Sequence, residues 1–185
     1  MSLIPLCPAD CTPELPAMSF ATCPADVEAL QGEISYVYLT AEGNPLSDYS
    51  DLEGARLSNS STDSDVIRKL TVMGDKPAPE AVYLELSLNR RKLLRKTRTL
   101  NIIIDDVNDT NHEALRLLEC GSDDLYLMWY EDSNGYIYGG LEGIPVKYID
   151  LNEIIPQSRD EKITFTGVVT WESKYTEERY NPNAS

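Results

Sequence analysis

Residues 163–175 read Ile-Thr-Phe-Thr-Gly-Val-Val-Thr-Trp-Glu-Ser-Lys-Tyr, and this stretch decides the fold. Ile163, Phe165, Val169, Trp171 and Tyr175 fall on one face of an extended chain, while Thr164, Thr166, Thr170, Glu172 and Lys174 fall on the other. Alternation with period two, in β-branched and aromatic residues, marks a strand with one face in a core and one in water. A long strand is therefore expected here, with Ile163, Phe165, Val169 and Trp171 turned inward.

Working outward, the same pattern recurs. Residues 144–149 read as a strand, and residues 125–131 and 136–138 read as a hairpin around Asp132-Ser133-Asn134-Gly135, a tight-turn signal. Residues 97–107 place Leu100, Ile102 and Ile104 on one face. Residues 81–88 alternate Val82, Leu84, Leu86 and Leu88 against Tyr83, Glu85 and Ser87, which predicts a second hairpin with 97–107. Residues 66–73 and 32–40 complete the strands, the last with Ile34, Tyr36 and Tyr38 on one face and Val37 and Leu39 on the other. One helix is expected from Asp109-Thr110, where Thr110 and Glu113 make a capping-box pattern, Ala114, Leu115, Leu117 and Leu118 form an apolar stripe, and Gly121 is a stop.

The fold class is thus mainly β: an antiparallel sandwich or barrel of about seven strands with one flanking helix. Residues 1–31 are expected to be an extended amino-terminal arm, because Pro5, Pro8, Pro13, Pro16 and Pro24 break helix and sheet ladders alike. Such an arm should order on a neighbouring subunit rather than on its own domain. Residues 32–180 form a single domain, residues 41–64 a long loop, and residues 181–185 a carboxy-terminal tail. With 185 residues and 42% hydrophobic content, the chain can bury one ordinary core.

The net charge is −15, from 31 Asp and Glu against 16 Lys and Arg, which disfavours free nucleic acid as a ligand, since phosphate binding needs a basic surface. Nothing in the sequence resembles a membrane span or an export leader, so a soluble protein made in a cytoplasm is expected. Eleven Tyr and 2 Trp against 2 Phe favour half-wet interfaces. The basic residues are segregated: Arg90, Arg91, Lys92, Arg95, Lys96 and Arg98 lie in one short run, expected at or near the tip of the hairpin over 81–107. Two readings of that run are open, a solvated tip or a positive knob that docks on an acidic neighbour, and the segregation points to an inter-subunit contact.

Chemistry is sparse. His112, the sole histidine, falls in the first turn of the expected helix and reads as a surface residue. No phosphate loop, zincin motif or nucleophile elbow occurs, and the glycine-rich run 138–143 precedes a strand rather than a helix. Asp105, Asp106 and Asp109 flank Asn108 before the helix and are weak candidates for a hard cation, with helix capping as the ordinary alternative. Cys7, Cys11 and Cys23, with Cys120 or His112, have spacing unlike common zinc sites, and reduced thiols are the simpler expectation. No cofactor is implied. Trp129 and Tyr130 could stack on a sugar, but alternation in a strand buries one ring and leaves the other at an interface.

Residues 70–80 (LTVMGDKPAPE), 105–143 and 165–180 (FTGVVTWESKYTEERY) resemble small virion structural proteins of Bacteroidales-infecting phages, including crAss-like phages. The order of strands with one flanking helix is similar to the tail-tube fold of tube, terminator and connector proteins in tailed phages. The resemblance implies a non-enzymatic virion protein, assembled in the host bacterial cytoplasm. Six or twelve copies would close into a homo-oligomeric ring in the tail or portal–tail junction and contact neighbouring tail or portal proteins. Genomic DNA would pass through the channel without specific binding. A glycan- or receptor-binding fibre or decoration module is the alternative, and a metal-dependent enzyme built on Asp105, Asp106 and Asp109 the third reading.

Overall fold

A computed structural model of the protein describes residues 32–54, 56–120, 126–158 and 160–182, without the side chains at 119 and 120. The arm expected over 1–31, with Cys7, Cys11 and Cys23, lies outside the described residues, as do the side chain of Cys120 and residues 183–185 of the expected tail.

The elements are β1 (Ile34–Ala41), β2 (Arg68–Asp75), β3 (Glu80–Leu86), β4 (Arg90–Ile104), α1 (Asp109–Cys120), β5 (Tyr126–Asp132), β6 (Ile137–Tyr138), β7 (Ile144–Val146), β8 (Tyr148–Ile154), β9 (Thr164–Ser173) and β10 (Arg179–Tyr180). They form one antiparallel sheet in the order β10-β6-β5-β1-β2-β4-β9-β8, with β3 added to β4 and β7 added to β5. The expected mainly β, antiparallel class with a single helix is what the chain adopts. Seven strands run seven residues or more, and β6, β7 and β10 are short additions.

The sheet is not closed into a barrel, but it folds over a common interior. Residues 144–154 bring this about: β7 pairs with β5, the Lys147 N–H then donates to the Thr170 carbonyl at 2.8 Å, and β8 continues along β9. One flank of the sheet is thereby laid over the other. Phe165, Val169 and Trp171 point into the enclosed core with Leu100, Ile102 and Ile104 of β4 and Val37 and Leu39 of β1. Ile163 does not join them. It precedes β9, whose ladder to β8 stops at Thr164, and it is 43% exposed.

β1 departs from simple alternation through a bulge between Ile34 and Tyr36, which returns Ile34 to the face of Val37 and Leu39. Tyr36 and Tyr38 are left on the opposite face. That face is also covered, because the loop over 42–67 folds back across β1 and β5 and packs Leu46, Leu52 and Ile67 against Tyr38, Leu127 and Trp129. Arg56 holds the loop together. Its guanidinium donates to the carbonyls of Asn44 (3.1 Å), Pro45 (2.7 Å) and Asp65 (2.9 Å) and pairs with the buried Asp51 at 3.3 Å. The long loop is thus spent on a second core of its own chain. Both faces of β5 are buried, which is why its sequence is nearly continuously apolar.

The helix starts at Asp109, as expected, but its cap lies two residues before the Thr110 of the capping-box pattern. Asn108 is the cap: its side-chain oxygen accepts from the Asn111 N–H at 2.9 Å, and its carbonyl accepts from the His112 N–H at 2.8 Å. Leu115 enters the core, and His112 rests edge-on against Phe165 with its Nε2 3.5 Å from Glu153, joining α1 to β8 and β9.

The glycine-rich run 138–143 has a packing role. Trp129 is wholly buried, and its Nε1 donates to the Gly140 carbonyl at 2.7 Å. Gly139 (φ +133°) and Gly143 (φ +76°) lie so close to the indole that a Cβ would stand 2.7 Å and 2.6 Å from its ring atoms. Gly143→Ala therefore combines a left-handed backbone with a steric clash, and should destabilise the domain by roughly 2–4 kcal/mol. Urea unfolding followed by tryptophan fluorescence measures this; a change under about 0.5 kcal/mol, the scale of neutral surface substitutions, would show that the run does not cradle Trp129.

Candidate functional site

β3 and β4 leave the body of the sheet together. β4 pairs with β9 from Ile104 back to Lys96, while its residues 90–95 pair with β3 alone. Every residue of β3 except the half-buried Val82 is exposed, so this hairpin has no core face. Cross-strand register sorts its side chains. One face carries Val82, Leu84 and Leu86 beside Arg95, Lys92 and Arg90; the other carries Ala81, Tyr83 and Glu85 beside Lys96, Leu93 and Arg91, with Leu94 the extra residue of a bulge. The connecting turn is Ser87, Leu88 and Asn89.

Leu88 is the most unusual residue in the protein. It is 88% exposed, the highest value among the large apolar residues described, and its φ is +61°, followed by Asn89 at +56°. Left-handed backbone is comfortable for Gly and tolerable for Asn, whereas a side chain such as Leu costs about 1 kcal/mol there. Nothing among the described residues repays that cost, since the side chain stands 88% exposed.

The basic run is placed in part as expected. Arg90, Arg91 and Lys92 stand near the tip, Arg90 donating from Nε to the Ser87 carbonyl at 3.1 Å. The rest are distributed along β4, because pairing with β3 extends that strand to fifteen residues. Arg91 pairs with Glu85 at 2.9 Å and Arg95 with Glu172 at 3.1 Å, both in solvent. Lys92 and Lys96 pair with no carboxylate among the described residues. Arg98 leaves the surface patch altogether. It is 4% exposed and shares the inward parity of Leu100, Ile102 and Ile104, so an inter-subunit contact through Arg98 is corrected to an internal one.

Arg98 belongs to a buried cluster at the base of the hairpin. Its Nε lies 3.2 Å from Glu177 Oε1 and donates to Ser173 Oγ at 2.9 Å. Glu177 Oε1 also accepts from Trp171 Nε1 at 2.8 Å, and its Oε2 from Lys76 Nζ. Lys76 Nζ donates to the Tyr130 hydroxyl at 2.7 Å, and the Tyr130 ring stacks on Tyr138 with centroids 4.9 Å apart. Lys76 leads into β3 through Pro77 and Pro79, and Arg98 lies two residues inside the point where β4 leaves β9. One carboxylate thus clamps both legs of the projecting hairpin.

Burial works to raise the Glu177 pKa, but the hydrogen bond and charge of Lys76 and the Trp171 N–H outweigh it and hold the carboxyl below the ordinary range. Burial, then the neighbouring Glu177, pushes the Tyr130 phenol far up. Burial does the same to Tyr38, whose hydroxyl donates to Glu131 at 2.6 Å. The cluster locks these elements together. Its carboxylate is 1% exposed, and Trp171 and Tyr130 close it on the core side.

Other sequence candidates disperse. Asp106 accepts from Asn111 Nδ2 through its backbone carbonyl at 2.9 Å, Asp105 faces Lys162 at 3.8 Å, and no group of three metal-ligating side chains converges among the described residues. Trp129 and Tyr130 are both buried, not one in and one out, because β5 is covered on both faces. A recess of about 350 Å³ between Leu39, Ala41, Val66, Leu118 and Tyr126 is mostly apolar and contains none of the shifted groups. Lys76 and Glu177 were missed from the sequence, where Glu177 reads as one of several acids in a polar stretch; the parity of Arg98 with Leu100 was the available signal. Neither protein-family models nor curated proteins match the chain.

Glu177→Gln leaves the buried Arg98 and the half-buried Lys76 without their carboxylate and should destabilise the domain by about 3–5 kcal/mol. The parent's stabilisation from this group is complete above the ordinary Glu pKa of about 4.3 and is lost as pH falls from there through the lowered native value. Urea titrations between about pH 7 and pH 3 should show this acid-side slope in the parent and a flatter one in the variant. Equal slopes would mean that Glu177 is not held ionised by the clamp.

Proposed function

We propose that the protein is a non-enzymatic structural subunit of a phage virion, forming an oligomeric ring in the tail or portal–tail junction around the channel through which the genome leaves. The observation that supports assembly most directly is the hairpin of β3 and β4, whose apolar side chains on both faces find no cover among the described residues. Tyr83, Leu84, Leu86, Leu88 and Leu94 are all more than two-fifths exposed, on a segment clamped at its base. A contiguous apolar surface rimmed by charges is the ordinary mark of a protein–protein contact. The virion assignment rests on the resemblance of residues 70–80, 105–143 and 165–180 to phage structural proteins.

The charge balance suits this role. Strong overall acidity keeps a DNA backbone from adhering to a channel wall, while the one basic segment is reserved for contacts between protein subunits. The glycan-binding alternative loses the two rings on which it depended, since Trp129 and Tyr130 are interior. The third reading, a metal-dependent enzyme built on Asp105, Asp106 and Asp109, draws no support from their placement, since no group of three metal-ligating side chains converges among the described residues.

Native mass spectrometry of the full chain, with negative-stain imaging for rings, tests the proposal; a monomer at every protein and salt concentration would sink it. The tip offers a sharper measurement. Leu88→Asn relieves the backbone strain and removes the exposed side chain, so it should leave the monomer as stable as the parent or more stable by up to about 1 kcal/mol. The same change should weaken assembly about tenfold or more, as loss of a buried apolar anchor does. A variant that assembles like the parent would assign Leu88 no part in the contact.

A further inference from the structure

We infer that residues 17–23 add an edge strand to β3 of their own chain, running antiparallel to it and closing the row of backbone groups that β3 leaves unpaired among the described residues. The inference is independent of the assembly reading, because a strand laid beside β3 leaves both faces of the hairpin and the Leu88 tip uncovered.

Topology brings the amino-terminal chain to this edge. From Lys96 to Ile104, β4 pairs with β9 on one side, so β2 (Gly74 against Ile102) and β3 (Glu80 against Thr97) both occupy its other side. β3 thus prolongs the line of β2. β1 flanks β2 on the side away from β4, with Ile34 against Gly74, and its second partner β5 ends there at Asp132. The Glu33 carbonyl fixes the chain at that corner by accepting from the Ser133 N–H at 2.8 Å. Followed backwards from Ile34, the chain therefore arrives on the open side of β3. It also arrives in the antiparallel sense, since β1 opposes β2, and β2 and β3 run the same way along β4. The arm expected on a neighbouring subunit thus has a nearer edge in its own chain.

The reach is sufficient. The chain from Gly74 to Glu80 covers at most about 20 Å, and the chain from Cys23 to Gly32 can span about 30 Å. Residues 17–23 (Ala-Met-Ser-Phe-Ala-Thr-Cys) are a proline-free stretch between Pro16 and Pro24, as long as the seven residues of β3. Met18 and Phe20 alternate with Ala17, Ser19 and Ala21, which gives one apolar face. Set opposite Leu86 and Leu84, Met18 and Phe20 extend the apolar row of β3. Pro16 and Pro24, which lack the N–H, bound the added ladder at both ends.

Charge favours the same pairing. Residues 1–31 contain Asp10, Glu14, Asp26 and Glu28 and neither Lys nor Arg, whereas β4 carries Arg90, Arg91, Lys92, Arg95 and Lys96 along the hairpin. With residues 17–23 beside β3, Glu14 comes to the tip end of that basic run and Asp26 to its base. Attachment through Gly32 makes the pairing intramolecular, which raises the effective concentration of the segment at the edge.

Hydrogen exchange of the full chain, read by mass spectrometry, tests the added strand. Successive N–H groups of a strand point to opposite sides, so Ser19→Pro with Phe20→Pro removes a ladder donor whatever the register. The amides of residues 80–86 should exchange at least about tenfold faster in this variant than in the parent, while those of β9 keep their parental rates and show that the domain is folded. Equal exchange of residues 80–86 in the two proteins overturns the inference. A crosslink then identifies the chain that supplies the strand. Opposing Met18 to Leu86 sets Cys23 against Ala81, and directly opposed Cα atoms, about 4.5–5.5 Å apart, are within disulfide range. Mild oxidation of the Ala81→Cys variant should give a 23–81 bond, mapped on peptides, in a product of single-chain mass on a non-reducing gel. The same bond in covalently joined chains would assign the strand to a neighbour and overturn the pairing within one chain.

Discussion

One carboxylate holds the working geometry of this protein in place. Glu177 sits between Lys76 and Arg98 with the Trp171 indole and the Tyr130 phenol beside it, and these residues come from the approach to β3, from β4, β9 and β5, and from the segment after β9. Burying Glu177 and Arg98 beside the half-buried Lys76 is expensive, and an apolar replacement of the same shape is often equally stable. What the ionic arrangement supplies is direction. An apolar contact lets two strands slide and tilt, whereas a carboxylate shared by two cations and an indole N–H fixes where each leg of the hairpin leaves the body. The stacked rings of Tyr130 and Tyr138 prevent relaxation from beneath. A projecting hairpin is useful for docking only if its orientation is set before the partner arrives, because ordering it on contact would subtract from the binding free energy.

The class of fold was legible because alternation is a local property, and β9 shows it plainly: Phe165, Val169 and Trp171 lie where their parity puts them. Long-range features were harder. The bulge at Ile34 shifts one residue to the other face, and no local pattern announces it, because the shift is imposed by pairing with β2 and β5 on both sides. Asn108 displaced Thr110 as helix cap because both are good caps, and the choice depends on where β4 lets the chain go. Alternation alone leaves one of Trp129 and Tyr130 at an interface; the loop that covers Trp129 lies more than sixty residues earlier in the chain. The site was half legible. The basic run pointed to the hairpin, but the partition of that run between solvent and core was hidden until β9 fixed which face of β4 is inside.

Leu88 and Arg98 make the same argument from opposite ends of β4. Arg98 is a charged residue where an apolar one would suffice for stability, and Leu88 is an apolar, left-handed residue where Gly or Asn would be more stable. Both choices weaken the isolated domain, and both become intelligible if the hairpin is a docking element: Arg98 aims it, and Leu88 arms its tip. Departures of this kind from the locally preferred residue concentrate at functional positions rather than at random.

The basic row on the hairpin also resolves a problem that any exposed apolar strand creates. An open edge with Leu84 and Leu86 beside it would pair readily with a second hairpin of the same kind, giving a two-fold dimer in which both docking elements are consumed. Arg90, Lys92 and Arg95 oppose that outcome, because two such rows brought together face like charge with like. The same row is attracted to the acidic remainder of the molecule, which the net charge of −15 makes abundant. Segregating basic residues onto a hairpin left uncovered among the described residues therefore disfavours the symmetric pair and favours a contact between unlike surfaces. Under the proposed assembly, charge selects the class of symmetry, and the apolar rows supply the adhesion.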